Sequence, residues 1–297
     1  MVEKFRGFRK GILMKNQILQ VIQKNNLTDF AALIMTSIKP AIHISKVNSQ
    51  EDVIGASRIG GLPDVPTDFQ WVLWQDRPLS FLAQINCADL QGFASANNLP
   101  NSGMLYFLYD AIDQPWGFDP SDRGSSAIIY HPSTENLIPS SLPEGADIDN
   151  GWLFPSYPIQ FREVLSLPNY DSQAFEQLAI SQNSVDDYVN LIADVNELMA
   201  ANEPIHQIFG HSSNIQGDMQ LECQLISHGI DYGNGYSEAI AKELADGASD
   251  WLLLLQLDTD DDLEMMWGDM GRLYFWIRES SLQSKSFNEA WTILQCS

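Results

Sequence analysis

Cysteine is scarce in this chain of 297 residues: Cys87, Cys223 and Cys296 are its only three, odd in number and widely spaced. No Cys-x-x-Cys pair is present, which removes a zinc knuckle and a redox dithiol. Free thiols in a reducing compartment are expected instead. Long apolar runs are also missing. The aliphatic run Leu252–Leu255 is far short of the ~20 residues that a membrane-spanning helix needs. No apolar stretch of signal-peptide length follows the basic start (Lys4, Arg6, Arg9, Lys10, Lys15). Residues before Met14 read as an extension, with Met14 as an alternative start, and a cytoplasmic protein is expected.

Positive charge is the next shortage. Sixteen Lys and Arg face 39 Asp and Glu, a formal net charge of -23. Between Lys46 and Lys242 the only cations are Arg58, Arg77, Arg123 and Arg162. Such a body repels nucleic acid and anionic lipid and attracts a basic protein partner.

Catalytic signatures are absent as well: no Gly-x-Ser-x-Gly, His-Glu-x-x-His, Walker loop or Gly-x-Gly-x-x-Gly occurs. The five histidines are scattered. Nothing calls for a cofactor, and no small-molecule ligand can be named.

What is present is enough apolar sequence, 44% of residues, for a core without staples. Ile18, Leu19 and Ile22 mark a helix that stops at Asn25-Asn26, and Thr28 or Asp29 can cap a second one, ended by Pro40. Strands are expected at 41–45, 79–85, 104–109, 159–167, 251–257, 273–277 and 291–294, and helices at 184–200 and 237–245. Polar, proline-rich sequence from His131 to Pro158 reads as a surface excursion. The elements do not alternate in a βαβ rhythm, so we expect an α+β fold, mostly antiparallel. A helical segment over 1–40 would precede one domain over 41–297.

That domain looks repetitive. Phe81-Leu82-Ala83-Gln84-Ile85-Asn86 followed by Gly103-Met104-Leu105-Tyr106-Phe107 is similar to Leu253-Leu254-Leu255-Gln256-Leu257-Asp258 followed by Gly271-Arg272-Leu273-Tyr274-Phe275. Ile59-Gly60-Gly61-Leu62 stands more weakly against Ile208-Phe209-Gly210-His211. The expectation is two related halves, about 41–150 and 151–297, packing their apolar faces and leaving a polar cleft.

Asp258, Asp260, Asp262 and Glu264 have the spacing of the first ligands of a calcium loop, closed by Asp269. Leu263 occupies the place that needs glycine, so Asp258, Asp260 and Asp262 make a weak candidate and no metal is expected. Trp267-Gly268-Asp269 and Gln216-Gly217-Asp218 suit turns that expose polar groups. Gln84 and Gln256 end apolar strands at matching places, either as buried structural amides or as a pair lining the cleft. Arg58 and Arg272 can pair with carboxylates or grip a ligand anion.

Ser57–Pro63, Pro78–Ile85, Ile215–Asp218, Leu254–Asp258 and Met266–Phe275 together resemble the YwqG-like proteins, an uncharacterised bacterial family. The resemblance runs from about Ile42 to the C-terminus. His211 stands where those proteins tend to carry an aromatic residue. It implies the fold and a cytosolic setting, offers no catalytic residues, and hints at toxin–immunity gene clusters. The leading expectation is a non-enzymatic binding protein that neutralises a basic partner such as a toxin. The alternative is a hydrolase using Asp218, Asp258 or Asp269 beside Arg58 or Arg272.

Overall fold

A computed structural model describes residues 14–47, 53–201, 203–233 and 235–297. The basic N-terminal stretch and the alternative start before Met14 lie outside the described residues. Ten strands form one antiparallel sheet: β1 Lys39–Lys46, β2 Arg58–Ile59, β3 Ser80–Asn86, β4 Met104–Tyr109, β5 Ser126–His131, β6 Tyr157–Ser166, β7 His206–Ile208, β8 Trp251–Asp258, β9 Arg272–Arg278 and β10 Trp291–Gln295. Their order is β10-β9-β8-β7-β1-β6-β2-β3-β4-β5. Among the described residues seven α-helices surround it: α1 over residues 14–24, α2 Ala31–Ser37, α3 Gln173–Glu176, α4 Val185–Ala200, α5 Gln220–Ser227, α6 Glu238–Leu244 and α7 Glu279–Gln283. The fold is α+β, and among the described residues no helix is long and apolar enough to cross a membrane.

The centre of the sheet is an eight-residue ladder between β1 and β6, from Lys39↔Ser166 to Lys46↔Ile159. Each of these strands then pairs on its other side with a strand from the opposite end of the chain: β1 with β7, and β6 with β2. The halves are therefore laced together, and the nearly closed sheet has one shared interior. On β4 the side chains alternate, with Leu105 and Phe107 inward and Met104, Tyr106 and Leu108 outward; on β9 Leu273, Phe275 and Ile277 turn inward. Phe107 and Phe275 meet edge to face at 5.3 Å in that interior. Because both faces of these strands are covered, they read as continuous apolar runs. The expected polar cleft between halves is instead filled by Ile59, Leu82, Phe107, Leu254, Trp267 and Phe275.

The two ends of the sheet carry the same local chemistry. Gln84 accepts from the Asp64 amide and donates to the Ala56 carbonyl. Gln256 accepts from the Ser213 amide and donates to the Ile205 carbonyl. Tyr106 and Tyr274 donate to the carbonyls of Asp64 and Ser213. Register shifts fall between Phe81 and Ala83 and between Leu253 and Leu255. A Cβ on Gly61 would strike that of Ser156 (2.7 Å), and one on Gly210 that of Ala41 (2.6 Å). These glycines hold positive φ of 72° and 80°, which glycine adopts freely.

Several expectations change. Pro40 does not end a helix but lies within β1, since α2 stops at Ser37. Ser184 precedes α4 without a side-chain cap bond. The stretch from His131 to Pro158 is not all surface. Ile138–Pro139 pairs with Asp64–Val65, and Trp152 is buried, donating to the Pro78 carbonyl at 2.7 Å.

One buried ion pair of the first half has no counterpart at the matching place in the second. Arg58 pairs with Asp64, which also accepts from Gln84 and the Gly55 amide. The corresponding residues by register are Gln207 and Ser213. Removing one partner strands the other charge in the core. We expect Arg58→Ala to lower unfolding free energy by about 3–5 kcal/mol, and Gln207→Ala by about 1–2. Urea titration checks this; equal losses would show that Asp64 does not depend on Arg58.

Candidate functional site

The loop between β7 and α5 is held by side chains from several elements. Phe209 opens it with φ of 58°, a left-handed conformation that costs a non-glycine residue about 1–2 kcal/mol. Gln295 on β10 accepts from the amides of Ile215 (2.9 Å) and Gln216 (3.1 Å) and donates to the Gly217 carbonyl (3.1 Å). Arg272 donates to the Ser213 carbonyl at 3.2 Å. Asp218 accepts from the Gln173 amide at 2.9 Å, which ties the loop to α3.

This loop forms one wall of a cavity of about 220 Å³. The lining includes Lys39 at the start of β1, Asn169 after β6, His211, Asp218, Trp251 and Trp276, with Ser95 contributed from the first half. Three of these side chains carry a buried polar atom without a hydrogen-bond partner: Ser95 Oγ, Asn169 Oδ1 and Trp276 Nε1. Trp276 is only 4% exposed. Buried polar groups are mostly paired in folded proteins, and these three unpaired atoms belong to residues that border one cavity. His211 also lines two adjoining cavities of about 390 and 250 Å³.

The electrostatics are set by burial. The His211 imidazole is pulled from 6.5 down to about 4, chiefly by desolvation and then by Lys39. The neutral ring donates Nε2–H to the Ser37 carbonyl at 2.8 Å, which leaves Nδ1 with its lone pair. Desolvation lowers the Lys39 ammonium, and Asp218 partly offsets it. Glu222, buried on α5 with Oε1 unpartnered, is raised to about 8 by desolvation and by Asp218. Asp171 is raised by desolvation, with Asp218 contributing.

Of the residues singled out in the sequence, only Asp218 lines this cavity, while Arg272 lines the neighbour beyond His211. Gln84 and Gln256 are fully buried, each spending its amide on the backbone of its own half. Gln216 is exposed. Arg58 is sealed against Asp64. Trp267 is completely buried, edge-on to Tyr109 and Phe154, and anchors its turn to the core. Asp269 is exposed, with its carbonyl accepting from Ser297. Of the carboxylate–arginine combinations that a hydrolase would use, Asp258 lies beside Arg272, while Arg58 is sealed against Asp64.

The acidic run binds protein cations. Asp258 pairs with Arg272 at 2.9 Å. Asp260 accepts from Lys46 at 2.6 Å and from His206 at 3.0 Å, and Asp262 accepts from Lys46 at 2.7 Å. Burial disfavours the Asp260 charge, but His206 and Lys46 outweigh it and hold the carboxyl well below its usual range. Among the described residues no group of three His, Cys, Asp or Glu side chains is disposed to hold a metal.

Sequence reasoning missed Lys39, Ser95, Asn169 and Trp276, which lie far apart along the chain. His211 had one signal, the departure from an aromatic residue. Matching the two registers sets Phe154, Leu62, Leu79 and Leu108 of the first half against Lys39, His211, Trp251 and Trp276. The first set is apolar, and Leu79, Leu108 and Phe154 are buried. The scaffold alone does not demand a polar hollow at this place.

The pH response has two opposed parts. His211, and His43 which burial likewise lowers to about 4, bind protons only in the unfolded chain between pH 6.5 and 4. Their contribution is whole above 6.5 and is lost as pH falls through that window. His211→Gln should flatten the pH dependence of urea-derived stability there by up to about 1.4 kcal/mol per pH unit. Glu222 acts the other way: it keeps its proton in the native state, so stability falls as pH rises from 4.5 to about 8. Glu222→Gln should remove that alkaline loss. Unchanged pH profiles in both variants would refute these assignments.

No curated protein matches the chain. Residues 57–296, which hold both ends of the sheet and most of the cavity lining, match the domain of unknown function DUF1963. The chain belongs to the DUF1963 family.

Proposed function

We propose that this protein is a non-enzymatic binding protein whose ligand is a small polar molecule held in the cavity around Asn169, His211, Asp218 and Trp276. One observation carries it: three residues that line one cavity, Ser95, Asn169 and Trp276, each hold a buried side-chain polar atom without a protein partner. A ligand that pairs these atoms recovers a desolvation cost of roughly 1–3 kcal/mol for each. The left-handed Phe209 beside the cavity fits the same reading, since backbone strain gathers at binding sites. We also take the chain as two copies of one sheet-forming unit. The equivalent bonds of Gln84 and Gln256, of Tyr106 and Tyr274, and the equivalent register shifts support that. On this view one copy kept an apolar filling while the other opened a site. The Ile215–Asp218 motif, whose Asp218 lines the cavity, supports reading the chain as a YwqG-like member of the family in a bacterial cytosol.

Thermal unfolding against a library of small polar compounds tests the proposal. We expect at least one to raise the melting temperature saturably, with the shift abolished by Trp276→Phe and by Asn169→Leu. A library with no such compound, or a shift indifferent to both substitutions, would remove the reading.

A second reading, a surface for a basic protein partner such as a toxin, has its own support. Each arginine among the described residues is engaged: Arg58, Arg77 and Arg272 with carboxylates, Arg162 with the Met199 carbonyl, and Arg123 and Arg278 over the rings of Trp291 and Trp251. The carboxylate excess is left to the surface, which speeds encounter with a cation. Pull-down should recover a basic protein at low salt and release it as salt rises; recovery of none removes this version.

A further inference from the structure

Lys39 and Asp218 both line the cavity. They lie close enough to act on each other electrostatically, yet no ion pair joins them. We propose that the cavity takes a small zwitterion, a molecule of the free α-amino acid class with an ammonium and a carboxylate a few atoms apart. This rests on the binding role argued above and names its ligand class.

The charges decide among ligand types. A simple anion would gain Lys39 but face Asp218. A simple cation would gain Asp218 but face Lys39. A neutral polar molecule would leave the half-buried Asp218 carboxylate without a counter-charge, which is unfavourable. A zwitterion satisfies both. Asp218 accepts from the amides of Gln173 and Gln220, and a carboxylate has lone pairs left for an ammonium. Lys39 makes no side-chain hydrogen bond among the described residues, so all three of its N–H groups are available to a carboxylate.

The uncharged groups divide the same way. Trp276 Nε1–H and the Ser95 hydroxyl can donate to a carboxylate; Asn169 Oδ1 and His211 Nδ1 can accept from an ammonium. His211 is suited to this because it is neutral, with its other nitrogen committed to the Ser37 carbonyl. Trp251 and Trp276 offer apolar surface to a side chain. At about 220 Å³ the cavity is below the roughly 300–1,000 Å³ of drug-sized pockets, which favours a single residue over a peptide.

Calorimetric titration of the full chain with a panel of the standard amino acids tests this. For the best binder, the panel includes its matched amine lacking the carboxylate and its matched acid lacking the ammonium. We expect the amino acid to bind at least about tenfold more tightly than either, a difference of ~1.4 kcal/mol. Lys39→Met and Asp218→Asn should each weaken it by a similar factor. Asp218→Asn keeps an oxygen for the Gln173 amide, and circular dichroism verifies that both variants are folded. If the amine or the acid binds as tightly as the amino acid, the zwitterion is wrong. If no amino acid binds while another small polar compound does so in a Trp276-dependent way, the zwitterion falls and the binding role stands. If nothing binds in either panel, both fall.

Discussion

The ladder between β1 and β6 is the constraint on which the rest of this molecule depends. A backbone polar group taken into a core must find a partner, and the eight paired residues of this ladder supply one for each strand's inner edge. On their outer edges the two strands reach across, β1 to β7 and β6 to β2. Neither half can complete its sheet alone. The apolar faces that might have met as two separate layers instead curl around a single interior, where Phe107 and Phe275 touch. A polar cleft at the junction is incompatible with that arrangement.

The same demand for satisfied polar groups explains the paired glutamines. A strand that ends in the core next to an irregular loop leaves loop amides and carbonyls facing the interior. A glutamine, with one acceptor and two donors on a single amide, can serve both kinds. Gln84 and Gln256 do this with matching partners. The difference between the halves lies in what stands beside them. The first half buries an Arg58–Asp64 pair and closes with apolar side chains. The second has uncharged Gln207 and Ser213 there, and its loop is tied to Gln295 and, through Asp218, to the Gln173 amide, framing a hollow. Lys39, His211 and Trp276 then face space that Phe154, Leu62 and Leu108 would occupy or cover.

The excess of negative charge is managed locally. Protein cations are used inside, as Lys46 is between Asp260 and Asp262, so the dense acidic run is a loop tied to β1. Near the cavity the balance is finer. Asp218 faces Lys39 without bonding it, while Asp171 and Glu222 are pushed toward their neutral forms by burial and by Asp218. A neutral Glu222 behind the wall keeps Asp218 from being overwhelmed by like charge.

Sequence by itself determined the class of fold, because strand and helix periods are local properties of the chain. Met104–Tyr109 could be read to the residue from an uninterrupted apolar run. It also pointed to positions that matter to the scaffold, since Gln84 and Gln256 each end an apolar strand that a Gly-x-Leu-Tyr-Phe strand follows. Only the tertiary structure decided what those residues do. Whether a glutamine lines a cleft or saturates a loop depends on contacts across dozens of residues. Whether an acidic run holds calcium or Lys46 depends on a lysine more than two hundred positions away. The cavity was illegible for the same reason: Lys39, Ser95, Asn169, His211 and Trp276 come from five separate elements, and a binding site is a coincidence in space that no local pattern records.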